Sequence, residues 1–262
     1  MIDHDNLEEY LDPINYDLEF GGETDKYNFY LELARLNPGE VLELACGTGL
    51  TTLHLSKSGI NITGVDISSS MLEYARVKAQ DLPVEFIEAD ARTFNSEKHF
   101  SMIYLTGNAF QAFLSDEDQR ALLETVNKHL EPNGLFVFET RNPLGTDLSN
   151  EEESPWGEFI DKDGITVKLS GTQTYDTSNQ IMHWVTFRDW GGSKKTISRI
   201  ACRFMDNNML QRLLTNCGFC IENQYSDWDK TPFNPFSQSI ISVCRKNKDS
   251  KTTNPGYSSE LF

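Results

Sequence analysis

A short stretch beginning at residue 41 carries residue types that bind a ligand through bare backbone. The apolar run Val41 to Leu44 leads into the turn Ala45 to Gly49, and an amphipathic stretch from Thr51 to Ser58 follows. Glycines in such a strand-to-helix turn let the chain approach a ligand closely, at the strand ends where open α/β sheets hold their ligands. The pattern predicts a site for a nucleoside.

Acidic and amide side chains recur where the following strands are expected to end. Asp66 closes the next apolar stretch, 19 residues after Gly47, Asp90 closes the third, and Asn108 follows the fourth. Taken singly, the acids could be solvated helix caps and the glycines only a tight turn. Because successive parallel strands end at one edge of a sheet, the ordered set instead favours a single binding site.

The elements that would position these residues alternate between strand and helix. Strands are predicted over residues 41–44, 60–65, 84–90, 100–105 and 135–139, with helices over 25–36, 51–58, 68–79 and 116–130. From residue 142 the helical periodicity vanishes, and three antiparallel strands are predicted over 164–175, 181–190 and 195–204. A helix over 206–216 and strands over 219–225 and 239–244 then resume the first pattern. We therefore expect a doubly wound α/β sheet with an inserted antiparallel sheet.

Composition limits the kinds of partner that this protein is expected to bind. The formal net charge is −17 and the pI is about 4.6, which argues against a nucleic-acid groove because phosphates bind mainly to Lys and Arg. No apolar stretch approaches the roughly 20 residues that span a bilayer. Five cysteines, an odd number, do not suggest a secreted disulfide framework. We expect a cytoplasmic protein that binds neither nucleic acid nor membrane.

The glycine turn discriminates between two kinds of nucleotide-binding domain. The dinucleotide fingerprint G-x-G-x-x-G needs a third glycine for close helix packing, and Thr52 stands there. Glu43, four residues before Gly47, is also unlike that pattern. The run instead resembles the first motif of the class I S-adenosylmethionine-dependent methyltransferases, V-L-[DE]-x-G-C-G-T-G, with Ala45 where the first glycine is common.

This resemblance covers most of residues 38–140 and continues over 206–246. It implies an α/β fold with a Rossmann-like, seven-stranded, doubly wound sheet whose last strand is antiparallel, plus a small inserted antiparallel β-sheet. The corresponding organisation is a helical cap at 1–37, a cofactor-binding domain at 38–141 and 205–246, an inserted substrate cap at 142–204, and a flexible tail at 247–262.

The resemblance also implies roles for particular residues. Asp66 would hold both ribose hydroxyls, Asp90 would accept from the adenine amino group, and Tyr16 would close over the methionine end of the cofactor. The full set of expected cofactor-binding residues is Tyr16, Glu43, Ala45, Gly47, Thr48, Gly49, Asp66, Ile67, Met71, Asp90, Ala91, Arg92, Leu105, Thr106 and Asn108. We expect S-adenosylmethionine as cofactor, S-adenosylhomocysteine as its product, and no metal.

Acceptor residues are less strongly indicated. Phe110, Arg141 and Trp184 are candidates for contact with the acceptor, because small-molecule pockets combine aromatic side chains with a few polar groups. Methyl transfer needs little beyond alignment when the acceptor is a good nucleophile, so a base is not required. Tyr16 and His183 are the candidate catalytic residues, although an isolated His in a β hairpin is more often structural and Tyr16 could equally be a packing residue.

These features predict methyl transfer to a nitrogen or oxygen of a small molecule, by a monomer or a homodimer. The strand-four end lacks the [DN]-P-P-[YF] signature of enzymes that methylate nucleic-acid bases or glutamine, which further disfavours such substrates. Two alternatives stay open: a non-catalytic cofactor binder acting as a sensor or assembly protein, and a dinucleotide-dependent oxidoreductase.

Overall fold

Two separate sheets contain all the strands found in the residues that the computed structural model describes, 4–22 and 24–247. The larger sheet has seven strands, which are β1 (Val41–Leu44), β2 (Ile62–Asp66), β3 (Val84–Glu88), β4 (Phe100–Tyr104), β5 (Leu130–Arg141), β10 (Phe219–Tyr225) and β11 (Ser239–Lys246). The smaller sheet has four, which are β6 (Glu151–Ile160), β7 (Thr166–Asp176), β8 (Ile181–Asp189) and β9 (Lys195–Arg203). The flexible tail expected at 247–262 lies outside the described residues from 248 onward.

Helices connect the strands of the larger sheet and precede it. They are α1 (Pro13–Phe20), α2 (Thr24–Leu36), α3 (Leu50–Lys57), α4 (Ser69–Ala79), α5 (Asp116–His129) and α6 (Asn207–Asn216), with 3₁₀ helices at His4–Tyr10 and Ala109–Ala112. Side-chain caps fix several helix starts. Ser68 accepts a hydrogen bond from the Met71 amide, and Ser115 accepts one from the Asp118 amide, as expected for residues that satisfy free N–H groups.

The strand order of the larger sheet is β10-β11-β5-β4-β1-β2-β3. Strand β11 pairs antiparallel with both β5 and β10, while β1 to β5 pair in parallel. The predicted Rossmann-like sheet with an antiparallel last strand is confirmed. From β1 the chain adds β2 and β3 on one side and then β4 and β5 on the other, so the strand order reverses between β1 and β4. Ligands bind at such a switch point.

Buried side chains fill both faces of this sheet. On β5, Phe136 and Phe138 face one core with α5 and α6, while Val137 faces the other core with α2. This alternation is the period of two that strands impose on side chains. Both faces of the sheet are therefore packed against helices, and this packing positions the edge at which its strands end and ligands bind.

The inserted antiparallel sheet is confirmed, but it has four strands where three were predicted. The extra strand, β6, contains Pro155 and Gly157, and its pairing with β7 shifts register on both sides of Ser154 and Pro155. Proline removes a backbone donor, so in a sheet it is found on an edge strand or at a bulge. Strand β6 is such an edge. Its composition resembles a loop for this reason.

Candidate functional site

In the turn after β1, three alternate residues adopt the left-handed region of backbone φ/ψ space. Their φ angles are 55° at Ala45, 53° at Gly47 and 74° at Gly49. A Cβ at Gly49 would lie 3.1 Å from the Phe86 ring, so glycine is also needed there for space. Ala45 adopts this conformation at a steric cost that glycine avoids, which explains why glycine is common at its position.

Asp66 joins the end of β2 to this turn. Its Oδ2 accepts from the Gly47 N–H at 2.7 Å, and its Oδ1 accepts from the Ser68 N–H at 2.8 Å. Burial raises the pKa of Asp66, and these backbone donors act in the opposite direction. A carboxylate has about four acceptor positions, so both oxygens keep one for a ligand. This leaves a bidentate acceptor that faces the cavity.

Asp90 is already engaged by a neighbour. The Arg92 side chain donates to it through Nε at 3.0 Å and Nη2 at 2.6 Å, and the Arg92 amide donates at 2.9 Å. Burial acts to raise the pKa of Asp90, but hydrogen bonds and charge from Arg92 outweigh this and lower it. Arg92 also pairs with Asp118. Any ligand amino group at Asp90 therefore shares the carboxylate with Arg92.

Two fully buried carboxyl groups stand on either side of the switch point. Glu43, on β1, accepts from the Tyr104 hydroxyl at 3.0 Å, from Thr106 at 3.2 Å and from Thr52. Burial raises the pKa of Glu43 to about 7, against the lowering effect of these hydroxyl donors. Thr52, which replaces the third dinucleotide glycine, thus serves as a donor to this acid.

The second carboxyl is Glu139 at the end of β5. Its Oε2 accepts from the Tyr30 hydroxyl at 2.6 Å, and its Oε1 accepts from the Gly107 and Asn108 amides. Burial raises the pKa of Glu139, while the Tyr30 hydrogen bond lowers it. Glu139 was not among the predicted site residues. Its signal in the sequence was an acid closing an apolar run, the same pattern as Asp66 and Asp90.

Glu43 makes stability depend on pH. Its folded pKa of about 7 lies above the unfolded value of about 4.3, so ionisation disfavours the fold as pH rises between them. We expect Glu43→Gln to gain roughly 1–3 kcal/mol relative to the parent between pH 5 and pH 8, at about 1.4 kcal/mol per pKa unit. Urea unfolding at both pH values measures this. The control is Glu88→Gln, the same change on an exposed strand end, and equal responses of the two variants would contradict the argument.

The N-terminal segment covers one side of the site. Tyr16 in α1 packs between Tyr10 and Phe20, with ring centroids 5.8 and 4.9 Å away. The adjacent Asp17 accepts from the Thr48 hydroxyl in the glycine turn and pairs with Lys78. Burial and the charge of Asp66 raise the pKa of Tyr16. Tyr16 is therefore a hydrogen-bond donor at this site.

The inserted sheet covers another side. Arg141 lies over the Trp184 ring, 5.2 Å from its centroid, and the Trp184 N–H donates to Gln173 at 3.2 Å. Trp156 lies across Gly171 of the neighbouring strand, where a Cβ would be only 2.2 Å from its ring. Trp190 does not reach the site, since its N–H donates to Asp161 at 2.9 Å.

The glycine turn, the strand-end carboxyl groups, Tyr16 and the Arg141–Trp184 pair line one cavity of about 960 Å³. Most of the predicted site residues meet there, namely Tyr16, Glu43, Ala45, Gly47, Thr48, Asp66, Ile67, Met71, Asp90, Ala91, Arg92, Thr106, Asn108, Arg141 and Trp184. Four do not line it. Leu105 and Phe110 are buried in the core, Gly49 faces Phe86, and His183 is exposed on β8. An apolar side chain at a strand end can turn into the core, and their sequence positions did not reveal this.

The cavity also holds an unsatisfied polar atom. The Oδ1 of Asn108 is buried and has no hydrogen-bond partner, while its backbone N–H donates to Glu139 at 3.3 Å. Buried acceptors are nearly always paired, so an unpaired one in a cavity suits a ligand that brings an N–H donor. A ligand with an ammonium group at one end and ribose hydroxyls in reach of Asp66 fits this set of residues.

Residues 41–134 match the model of a family whose description is "Methyltransferase domain". The matched segment is a class I S-adenosylmethionine-dependent methyltransferase domain. The family cofactor is S-adenosylmethionine. The predicted family is thereby confirmed.

Several known proteins are similar to this methyltransferase over more of the chain than residues 41–134. The Bacillus subtilis protein YqeM is 22% identical over 228 residues, which are 86% of this chain and 91% of that protein. The CcbJ methyltransferase of Streptomyces caelestis has the same fold, with a TM-score of 0.81, 20% identity, and coverage of 93% of this chain and all of that one. CalS10, an amino pentose methyltransferase of Micromonospora echinaspora whose structure has S-adenosylmethionine bound, gives a TM-score of 0.72, 16% identity, and coverage of 89% and 95%.

In the described residues, no helix is both long and apolar enough to cross a membrane. Within the same residues, no group of three or more His, Cys, Asp or Glu side chains is arranged to hold a metal ion.

Proposed function

We propose that this methyltransferase transfers the methyl group of S-adenosylmethionine to a nitrogen or oxygen of a small molecule. The supporting observation is that one cavity runs from the glycine turn to the aromatic face of the inserted sheet. Its volume of about 960 Å³ lies at the upper end of the roughly 300–1,000 Å³ range of small-ligand pockets, which favours a cofactor together with a small acceptor.

In this proposal the chain's own residues bind and align. Asp66 holds the ribose, Asn108 accepts from the methionine ammonium, and Tyr16 closes the pocket from the N-terminal side. The cofactor supplies an activated methyl group, which forms a bond to the acceptor lone pair as the carbon–sulfur bond breaks and sulfur keeps that electron pair. The acceptor proton leaves to solvent, so alignment and exclusion of water by the two covers supply the rate enhancement.

A nitrogen acceptor has additional support from the site's charge. The carboxylates of Glu139 and Glu43 lie buried at the end of the cavity beside β4 and β5, which suits an amine. CalS10, which shares the fold, is an amino pentose methyltransferase. We place the reaction in the cytoplasm, because all five cysteines are free thiols, as in a reducing compartment. We further propose that the enzyme acts as a monomer or homodimer.

The test combines binding with transfer. We expect S-adenosylhomocysteine at 100 times its Kd to stabilise the fold by about 2.7 kcal/mol, which raises Tm by roughly 5–10 °C. S-adenosylmethionine with a panel of small amines and alcohols is then expected to yield S-adenosylhomocysteine. Stabilisation by NADH instead would indicate an oxidoreductase. Tight binding without transfer to any panel member would indicate a non-catalytic binder.

A further inference from the structure

Opposite charges stand side by side at the acceptor end of the cavity. Glu139 and Arg141 lie two residues apart at the end of β5, so their side chains leave the same face of the strand with Cα atoms about 7 Å apart. Both line the cavity. In the described part of the chain they form no ion pair with each other, although both project into the same space.

The Arg141 side chain is oriented by its neighbours, but no carboxylate that the structure describes neutralises its charge. Its guanidinium lies 5.2 Å from the Trp184 centroid, its Nη1 is 3.4 Å from the Gln111 Oε1, and it lies against the Cys202 thiol. By contrast Arg92, the other arginine of the cavity lining, pairs with two aspartates. No carboxylate among residues 4–22 and 24–247 pairs with Arg141. A planar guanidinium with free donors in a cavity matches a carboxylate ligand.

Glu139 offers the complementary charge. Three donors occupy three of its roughly four acceptor positions, which leaves one on Oε2 for a ligand. Trp228, which also lines the cavity, packs against the same Tyr30 that binds Glu139, with centroids 5.8 Å apart. A carboxylate next to an aromatic ring is a favourable site for an ammonium group.

We infer that the acceptor is a small amino acid, with its carboxylate on Arg141 and its amino group beside Glu139. The inference rests on the proposed methyl transfer and specifies its substrate class. The methionine carboxylate of the cofactor is a competing anion. However, the side-chain contacts of Arg141 are with Gln111, Trp184 and Cys202, away from the glycine turn. Lys26 is the lining cation whose charge acts on both Glu43 and Glu139.

The test uses matched pairs that differ only in the carboxylate. The pairs are tyrosine and tyramine, phenylalanine and phenethylamine, and β-alanine and ethylamine, with glucosamine as an amine that lacks a carboxylate. Formation of S-adenosylhomocysteine gives kcat/KM, and calorimetry on the protein loaded with S-adenosylhomocysteine gives the acceptor Kd. We expect at least one amino acid to be preferred over its amine by about 10- to 100-fold in both measurements.

The variant Arg141→Gln is expected to abolish that preference while the Kd for S-adenosylhomocysteine stays within about twofold. Arg199→Gln, on the exposed side of β9, is the control and is expected to keep the preference. Preference for tyramine or glucosamine would overturn the inference and leave the proposed methyl transfer intact. No binding of any amino acid, or loss of S-adenosylhomocysteine affinity in Arg141→Gln, would also overturn it. Failure of the parent to bind S-adenosylhomocysteine would contradict the proposed function itself.

Discussion

Asp66→Ala is expected to weaken binding of S-adenosylhomocysteine by about 100-fold or more. Both ribose hydroxyls would lose a charged acceptor, and hydrogen bonds to charged groups contribute roughly 1.5–3 kcal/mol each. The substitution also removes the acceptor for the Gly47 and Ser68 amides, so the glycine turn loses a support. Isothermal titration calorimetry measures the change in Kd.

Two matched variants separate these contributions. Asp66→Asn keeps one acceptor oxygen without the charge, and a loss of about tenfold is expected, since each tenfold corresponds to about 1.4 kcal/mol. Glu88→Ala removes an acid at the register position beside Asp66 on β3, where the side chain is exposed and does not line the cavity. Its affinity is expected to equal that of the parent. Unchanged affinity in Asp66→Ala would place the ribose elsewhere.

The larger sheet could be predicted because local sequence and fold agree there. Apolar runs such as Phe100 to Tyr104 are buried along their whole length, as parallel strands covered on both faces require. The glycine turn and the strand-end acid Asp66 were recognisable for the same reason. Their conformations and hydrogen bonds arise within a few residues of the strand ends, or between neighbouring strands.

Other features depend on contacts that span the chain. Glu139 acquires its role from Tyr30, 109 residues away, and β6 is a strand only because β7 pairs with it. Leu105 and His183 show the converse. A suitable residue type in the expected segment did not place either of them in the cavity lining, because side-chain direction is set by the assembled sheet.

The N-terminal segment provides the clearest example of such a long-range contact. Arg188 of β8 is buried, donates to Glu19 at 2.8 Å and to Ser198 at 2.6 Å, and pairs with Glu9. Both carboxylates are themselves buried, with side-chain exposures of 8% and 9%. This cluster attaches the segment that carries Tyr16 to the inserted sheet, so one buried guanidinium links the two covers of the cavity.

We expect Arg188→Met to lower the unfolding free energy by about 3–5 kcal/mol, because it leaves two buried carboxylates without a counter-charge. This corresponds to a decrease in Tm of roughly 10 °C, measured by differential scanning calorimetry. Affinity for S-adenosylhomocysteine is expected to fall as well, since Tyr16 and the Asp17 contact to Thr48 belong to the same segment.

An exposed pair on the same segment supplies the control. Arg199 pairs with Glu8 at 3.0 Å, but its side chain is 57% exposed, and such surface pairs contribute about 0–1 kcal/mol. Arg199→Met is therefore expected to keep most of the stability and the cofactor affinity. Adding Glu9→Gln and Glu19→Gln to Arg188→Met removes the uncompensated charges, and we expect it to recover much of the lost stability. If Arg188→Met were as stable as Arg199→Met, the buried charges would not be what holds the N-terminal segment over the cavity.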